Sequence, residues 1–290
     1  MLSTRTGTFP IGFRRGGSAW QNDLSALAGW ARDNQMQVID ITGNPGPGWK
    51  AVSQAGLRIG TADALDWKGL LSPDAGRRKD AVQANLQHAR ACSIAGAKLL
   101  FFVALPEKPE LPRKENFGFL ADSLSALAPE LEKLGTTLAI EGWPGPGVLC
   151  CTPEGYRALF KAVPSPAIGM NYDPSHLIRM GIDPLRFLEE FADRVVHVHG
   201  KDTELLTENL YEFGHEQPAT FASPIWYGGW AWRYTIPGHG QMRWSRAFEV
   251  LKNAGYRGAV CIELEDSHFN GTEDGEKSGL ISGARFLAGC

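Results

Sequence analysis

The 290-residue sequence is poor in cysteine, in long apolar runs and in charge of one sign, and each shortage removes a class of protein. Its five cysteines, Cys92, Cys150, Cys151, Cys261 and Cys290, are odd in number, include one adjacent pair and form no C-x-x-C. That spacing suits neither a disulfide framework nor a zinc cage, so reduced structural thiols are expected. No stretch approaches the length of a membrane span, and the opening MLSTRTGTFPIGFRR lacks the apolar centre of a secretory signal. A cytoplasmic location with no membrane partner is therefore expected. The 29 basic and 32 acidic side chains leave a formal charge of −3, which gives no bulk electrostatic reason to expect a nucleic acid partner.

What is present is an alternation. Short β-branched or apolar runs (GTFPIGF, QVIDITG, LRIGTAD, KLLFFVALP, TTLAIEG, AIGMNYD, RVVHVHGKD, AVCIELED) are separated by segments with apolar residues at helical spacing, such as DLSALAGWARDN and TPEGYRALFKAV. Eight strand segments alternating with eight helical ones predict an α/β fold of the (β/α)8 TIM-barrel type, one domain over residues 1–290. Helix punctuation agrees: Ser72-Pro73-Asp74, Thr152-Pro153-Glu154 and Asp183-Pro184 read as helix starts, and Gly96, Gly135 and Gly255 as stops. One stretch breaks the rhythm. The insert between strands seven and eight, about residues 203–237, is too long for a βα connection and carries Trp226, Tyr227, Trp230, Trp232 and Tyr234. It reads as a lid over a site or as a subunit contact in a homo-oligomer.

The run RVVHVHGKD poses the functional question, because a strand of buried valines has no packing reason to carry His197 and His199 on one face. In a parallel barrel the chemistry gathers where strands end and loops converge. Strands five to eight end in Glu141, Asp173, His199 and Glu263, separated by 32, 26 and 64 residues, so they would reach neighbouring positions on one rim. Taken singly, a strand-end acid is a solvated or capping group and a lone histidine a satisfied core residue. Taken together, three carboxylates closing on each other repel unless a cation lies between them. Three hard oxygen ligands with one imidazole suit Mn²⁺, Mg²⁺ or Co²⁺, with Zn²⁺ a further candidate.

The ordered motifs E-G-W (141–143), N-Y-D-P-S-H (171–176), H-V-H-G-K-D (197–202), G-H-G-x-x-x-W (238–244) and I-E-L-E-D (262–266) resemble the xylose isomerase-like TIM-barrel superfamily. Within it lies the sugar phosphate isomerase/epimerase group, with ketose 3-epimerases and inosose dehydratase. The resemblance covers nearly the full chain and is strongest from Glu141 to Asp266. It implies Glu141, Asp173, His199 and Glu263 as ligands of one divalent ion, Mn²⁺ foremost, and His176 as a contact to a small carbohydrate substrate. His197 would pack deeper and orient its neighbours. Lys201 would either neutralise a sugar oxyanion or pair with Asp202 or Glu265, while Trp143 offers a face for a sugar ring and Glu265 a further polar contact.

Chemically, a divalent ion on a ketose carbonyl and its adjacent hydroxyl favours the enediolate formed when the neighbouring C–H loses its proton. Glu141 and Glu263 would be the acid/base pair. Returning the proton to the other face epimerises, moving it to the next carbon isomerises, and losing a β-hydroxyl dehydrates. The chain departs from ketose 3-epimerases after the strand-seven histidine: Gly200-Lys201-Asp202 stands where they carry Gly-Glu followed by an Arg. W-R-Y-x-I-P-G-x-G (232–240) is more similar to less characterised members, some thought to act on 3-keto sugars or glycosides. The alternative is thus a lyase or dehydratase on a keto-inositol, 3-keto-sugar or glycoside. An endonuclease-type cluster would need more ligands on strands two to four than Asp40 and Asp63 offer, and a non-catalytic barrel would have no use for the four ligands. No Gly-rich cradle stands out, so a phosphorylated substrate is not expected.

Overall fold

In the computed structural model, which describes residues 1–290, eight short parallel strands close on themselves. They are β1 (Ile11–Arg14), β2 (Val38–Ile41), β3 (Arg58–Asp63), β4 (Leu99–Val103), β5 (Thr137–Glu141), β6 (Ile168–Tyr172) and β7 (Val195–Gly200), with β10 (Val260–Ile262) completing the ring between β7 and β1. The architecture is the (β/α)8 barrel expected from the alternation. Runs such as Leu138-Ala139-Ile140 and Ile168-Gly169-Met170 are without polar side chains because one face fills the barrel and the other meets the helices, so both are buried.

The outer layer is made by α1 (Leu24–Asp33), α2 (Pro47–Gln54), α3 (Ala75–Ile94), α4 (Arg113–Leu134), α5 (Pro153–Ala162), α7 (Pro184–Phe191), α9 (Trp244–Asn253) and α10 (Glu273–Gly289). Their ends follow local chemistry. Thr152 accepts the Gly155 N–H, and Asp183 accepts those of Leu185 and Arg186, each with proline opening the helix. Gly135 ends α4 in the left-handed region at φ 58°, where a side chain is disfavoured. At the start of α3 the cap is Asp74 rather than Ser72.

Two features differ from the sequence expectation. A short helix α6 (Pro174–Arg179) begins directly after β6, ahead of the α7 that periodicity predicted; a single turn and a half is too brief to leave a periodic signal. The insert is also partly regular. Its two ends form an antiparallel hairpin of β8 (Asp202–Leu205) and β9 (Trp232–Thr235), with α8 (Thr207–Phe213) between them. The hairpin base is buried against the barrel, whereas Phe221 near the tip is fully exposed. All five cysteines are buried and free, and burial pushes the Cys92 thiol up to about 12. No helix is long and apolar enough to cross a membrane.

Candidate active site and metal-ligating cluster

Side chains alternate along a strand, so His197, His199 and Lys201 lie in sequence on one face of β7 and its extension, and all three are buried. They form a ladder from the barrel interior to its C-terminal rim. At the lowest rung His197 Nε2 lies 2.8 Å from Asp40 Oδ2, and His199 Nε2 lies 3.7 Å from the same oxygen. The other Asp40 oxygen accepts the Thr61 N–H at 2.8 Å. Gly60 makes this possible, since a Cβ there would sit 2.1 Å from Asp40 Oδ1. Burial pushes the Asp40 pKa up, but His197 and His199 outweigh it and hold the carboxyl well below the usual range.

One rung higher, His199 Nδ1 is 2.7 Å from Glu141 Oε2 and 3.4 Å from Glu263 Oε2, with the Phe101 ring stacked on the imidazole at 5.3 Å. Asn171 donates to Glu141 Oε2 at 2.6 Å. Asp173 sits at the N-cap of α6, where Oδ1 accepts the Ser175 N–H at 2.9 Å. The same short helix brings His176 back over the rim, its Nε2 3.3 Å from Glu141 Oε1 and 3.4 Å from Asp173 Oδ2. Ligand atoms of Glu141, Asp173, His176 and Glu263 all lie within 4.8 Å of one another. His199 reaches the same carboxylates from below.

Asp173 Oδ2 and both ring nitrogens of His199 are buried without a hydrogen bond of acceptable geometry, although the Lys201 ammonium lies 3.2 Å from the former and Glu141 Oε2 2.7 Å from His199 Nδ1. Carboxylate oxygens and imidazole nitrogens aimed into one small volume match the donor preferences of a hard or borderline divalent cation. The residues fit such an ion.

Lys201 closes the cluster. Its ammonium contacts Glu263, lies 2.9 Å from Glu265 Oε2 and 3.2 Å from Asp173 Oδ2, and stands 4.5 Å over the Tyr234 ring. Burial pulls its pKa down, but the three carboxylates raise it well above the ordinary lysine value, so it stays charged. Of the two pairing partners that the sequence suggested, only Glu265 is used. Asp202 points the other way and accepts from the Thr203 and Met242 N–H groups and the Trp244 indole. For Glu263, burial raises and Lys201, His199 and Arg14 lower the pKa, leaving it well below the usual carboxylate range. Trp143, on the loop after β5, lies outside the buried group at 37 % exposure, its ring against Gly145.

Several contributors were not singled out from sequence. Arg14, at the end of β1, pairs with Asp63 at 2.9 Å and reaches Glu263 at 3.4 Å. Tyr234, from β9 in the insert, holds His176 Nδ1 at 2.7 Å and accepts from Arg179 at 2.6 Å. Asp40, buried near the end of β2, supports His197 and His199 rather than a nuclease-type cluster. Beside the cluster lies a cleft of about 400 Å³ whose lining includes Arg14, Arg15, Trp226, Tyr227, Glu263 and Glu265.

With this geometry in view, comparison with known proteins is informative. A sequence profile of the xylose isomerase-like TIM barrel family matches residues 18–290. The chain is 37 % identical over 120 residues to the uncharacterised protein YfiH of Bacillus subtilis (strain 168), covering 41 % of this chain and 37 % of that protein. It is 27 % identical over 159 residues to inosose dehydratase of Geobacillus thermodenitrificans (strain NG80-2), covering 55 % and 50 %. These matches span about half, or less, of the relatives' own length. Among solved structures, the apo form of 3-keto-D-glucoside 4-epimerase YcjR from E. coli superposes with a TM-score of 0.72 at 16 % identity, covering 97 % of this chain and 100 % of that one. Mannonate dehydratase from Streptococcus suis serotype 2 gives 0.70 at 13 % identity, covering 96 % and 92 %. At such identities the likeness concerns the fold.

Proposed function

The chain belongs to the xylose isomerase-like TIM barrel family, and from that premise we propose that it is a divalent-metal-dependent sugar isomerase or epimerase acting on a keto-sugar or related polyol. The observation that carries this reading is the approach of Glu141, Asp173, His199 and Glu263: carboxylate oxygens of the three acids lie within 4.8 Å of one another, and His199 Nδ1 reaches Glu141 at 2.7 Å and Glu263 at 3.4 Å. These four residues would hold the ion, Mn²⁺ foremost, with Mg²⁺, Co²⁺ and Zn²⁺ as alternatives. Once bound, such an ion supplies Lewis acidity toward a carbonyl and its neighbouring hydroxyl.

The remaining work falls to the chain's own side chains. Glu141 and Glu263 are both held ionised, so either can accept the proton from the carbon next to the carbonyl and give an enediolate; the carboxylic acid so formed can return that proton, and return from the opposite face requires the other glutamate first to take a proton from solvent. Lys201, charged and beside Glu263, offers compensation for negative charge developing on a sugar oxygen. His176, steadied by Tyr234, is placed to hydrogen-bond a sugar hydroxyl. Asp40, held by His197, puts its charge 3.7 Å beneath His199 Nε2, which favours one orientation of that ring.

A second reading is a dehydratase on a keto-inositol, 3-keto-sugar or glycoside. It is favoured by the partial match to inosose dehydratases, and the charged Lys201 beside the carboxylates is placed to hydrogen-bond a departing hydroxyl. Incubation of the Mn²⁺-loaded protein with keto-sugars in D₂O separates the two. Deuterium gained without loss of water supports isomerase or epimerase chemistry, loss of water supports the dehydratase, and neither across a broad panel would sink both.

A further inference from the structure

The cleft beside the cluster is more room than the reacting end of a sugar needs, and this inference rests on the sugar-carbonyl reading above. Glu263 and Arg14 form its inner end, but Glu141, Asp173 and His176 do not line it. It extends instead from the β10 side of the rim, between the loop after β1 and the residues that lead into α10. A substrate with its carbonyl among the carboxylates would therefore leave the cleft free for a second unit.

Both walls are built to last. On one side the loop after β1 is fastened to α10: Glu276 accepts from Ser18 Oγ at 2.6 Å, Trp20 Nε1 at 2.6 Å and Gln21 Nε2 at 3.1 Å. Gln21 in turn accepts the Gly16 N–H at 2.6 Å. On the other side the insert presents Trp226 and Tyr227 as a stacked pair, ring centroids 4.7 Å apart. Tyr227 is held at φ 55°, a left-handed conformation that non-glycine residues adopt at a cost. Hydrogen bonds from Tyr234 N to Tyr227 O at 2.9 Å and from Ile225 N to Gly229 O at 3.0 Å keep the turn in place. With Tyr227 stacked on it, the Trp226 indole is still left 55 % exposed at the cleft.

Charge narrows the occupant. The lining carries the carboxylates of Glu263, Glu265 and Glu276 against the guanidiniums of Arg14 and Arg15, and Arg14 is already engaged by Asp63 and Glu263. Lys201 stands on Glu263 and Glu265, so three cations balance the three carboxylates and the cleft offers no excess of positive charge to a phosphate or uronate. We propose that the substrate is an uncharged glycoside of at least two rings, whose non-reacting ring lies on Trp226 and Tyr227, rather than a free or phosphorylated monosaccharide.

Calorimetric titration of the full-length protein with D-glucose, glucose 6-phosphate, cellobiose and maltose tests this. At least one disaccharide should bind about tenfold more tightly than glucose, a preference that falls to about onefold in Trp226→Ala and largely survives in Trp226→Phe. Glucose 6-phosphate should bind no more tightly than glucose. Equal affinity for glucose and both disaccharides, a preference untouched by Trp226→Ala, tightest binding of the phosphate, or no binding of any of the four would overturn the proposal. Because binding is read without turnover, a disaccharide preference in a protein that exchanges no proton sinks only the catalytic reading. Exchange on monosaccharides with no such preference sinks only this one.

Discussion

The two sides of the barrel rim differ. Toward β5 and β6, Glu141, Asp173 and His176 are buried and locked to one another, roofed by Tyr234 from the insert. Toward β1 and β10, Arg14, Glu263 and Glu265 face a cleft, and the Glu265 side chain is 33 % exposed. Both sides are made of the same repeated βα unit, and the difference comes from α6, which only the closed side has. After β6 the chain turns at once into α6, which folds His176 back over the carboxylates, whereas the segments after β1 and β10 run on as loops before their helices begin. A closed side suits holding an ion, and an open side suits admitting a substrate; Glu263 belongs to both.

Substitutions can break this division, and the largest effect is expected at the shared chemistry. Glu141→Gln keeps the shape but removes a proton acceptor, so solvent-proton exchange into a keto-sugar should fall by about 10²- to 10⁴-fold. Next comes the support beneath the closed side. Asp40→Ala removes the acceptor of His197 and of the Thr61 N–H and leaves them buried without a partner, and urea unfolding should show a loss of about 1–3 kcal/mol. On the open side the effect should move from stability to substrate binding. Glu276→Gln weakens the anchor of the β1 loop, costing about 1 kcal/mol by thermal unfolding and raising KM with little change in kcat. The smallest change is expected at the insert's tip, where Phe221→Ser should alter stability by less than about 0.5 kcal/mol, since the ring has nothing to pack against.

Much of the closed side could be read along the chain, and much of the open side could not. Strand ends at Glu141, Asp173 and His199 stand out because each follows a buried run whose apolar residues leave no other use for the polar group. The barrel was legible for the same reason. Asp40 was harder to place, because its partner His197 lies 157 positions away and only closure of the barrel brings them together. Arg14 and Glu263 meet across the β1–β10 seam, which no local pattern announces. Tyr234 was read as one of many insert aromatics, since its selection for His176 depends on the β8–β9 register, in which Thr203 pairs with Tyr234. The partners of Lys201 come from the ends of β6 and β10, and of Asp202 and Glu265 only Glu265 is among them.

The most direct test of the central claim, that the closed side holds one catalytic ion, is elemental analysis of the purified protein and of Glu141→Gln combined with Glu263→Gln. About one divalent ion per chain in the wild type, lost in the double variant with the circular dichroism spectrum unchanged, is the expected result. No ion in the wild type even after dialysis against Mn²⁺, or undiminished metal in the double variant, would contradict it.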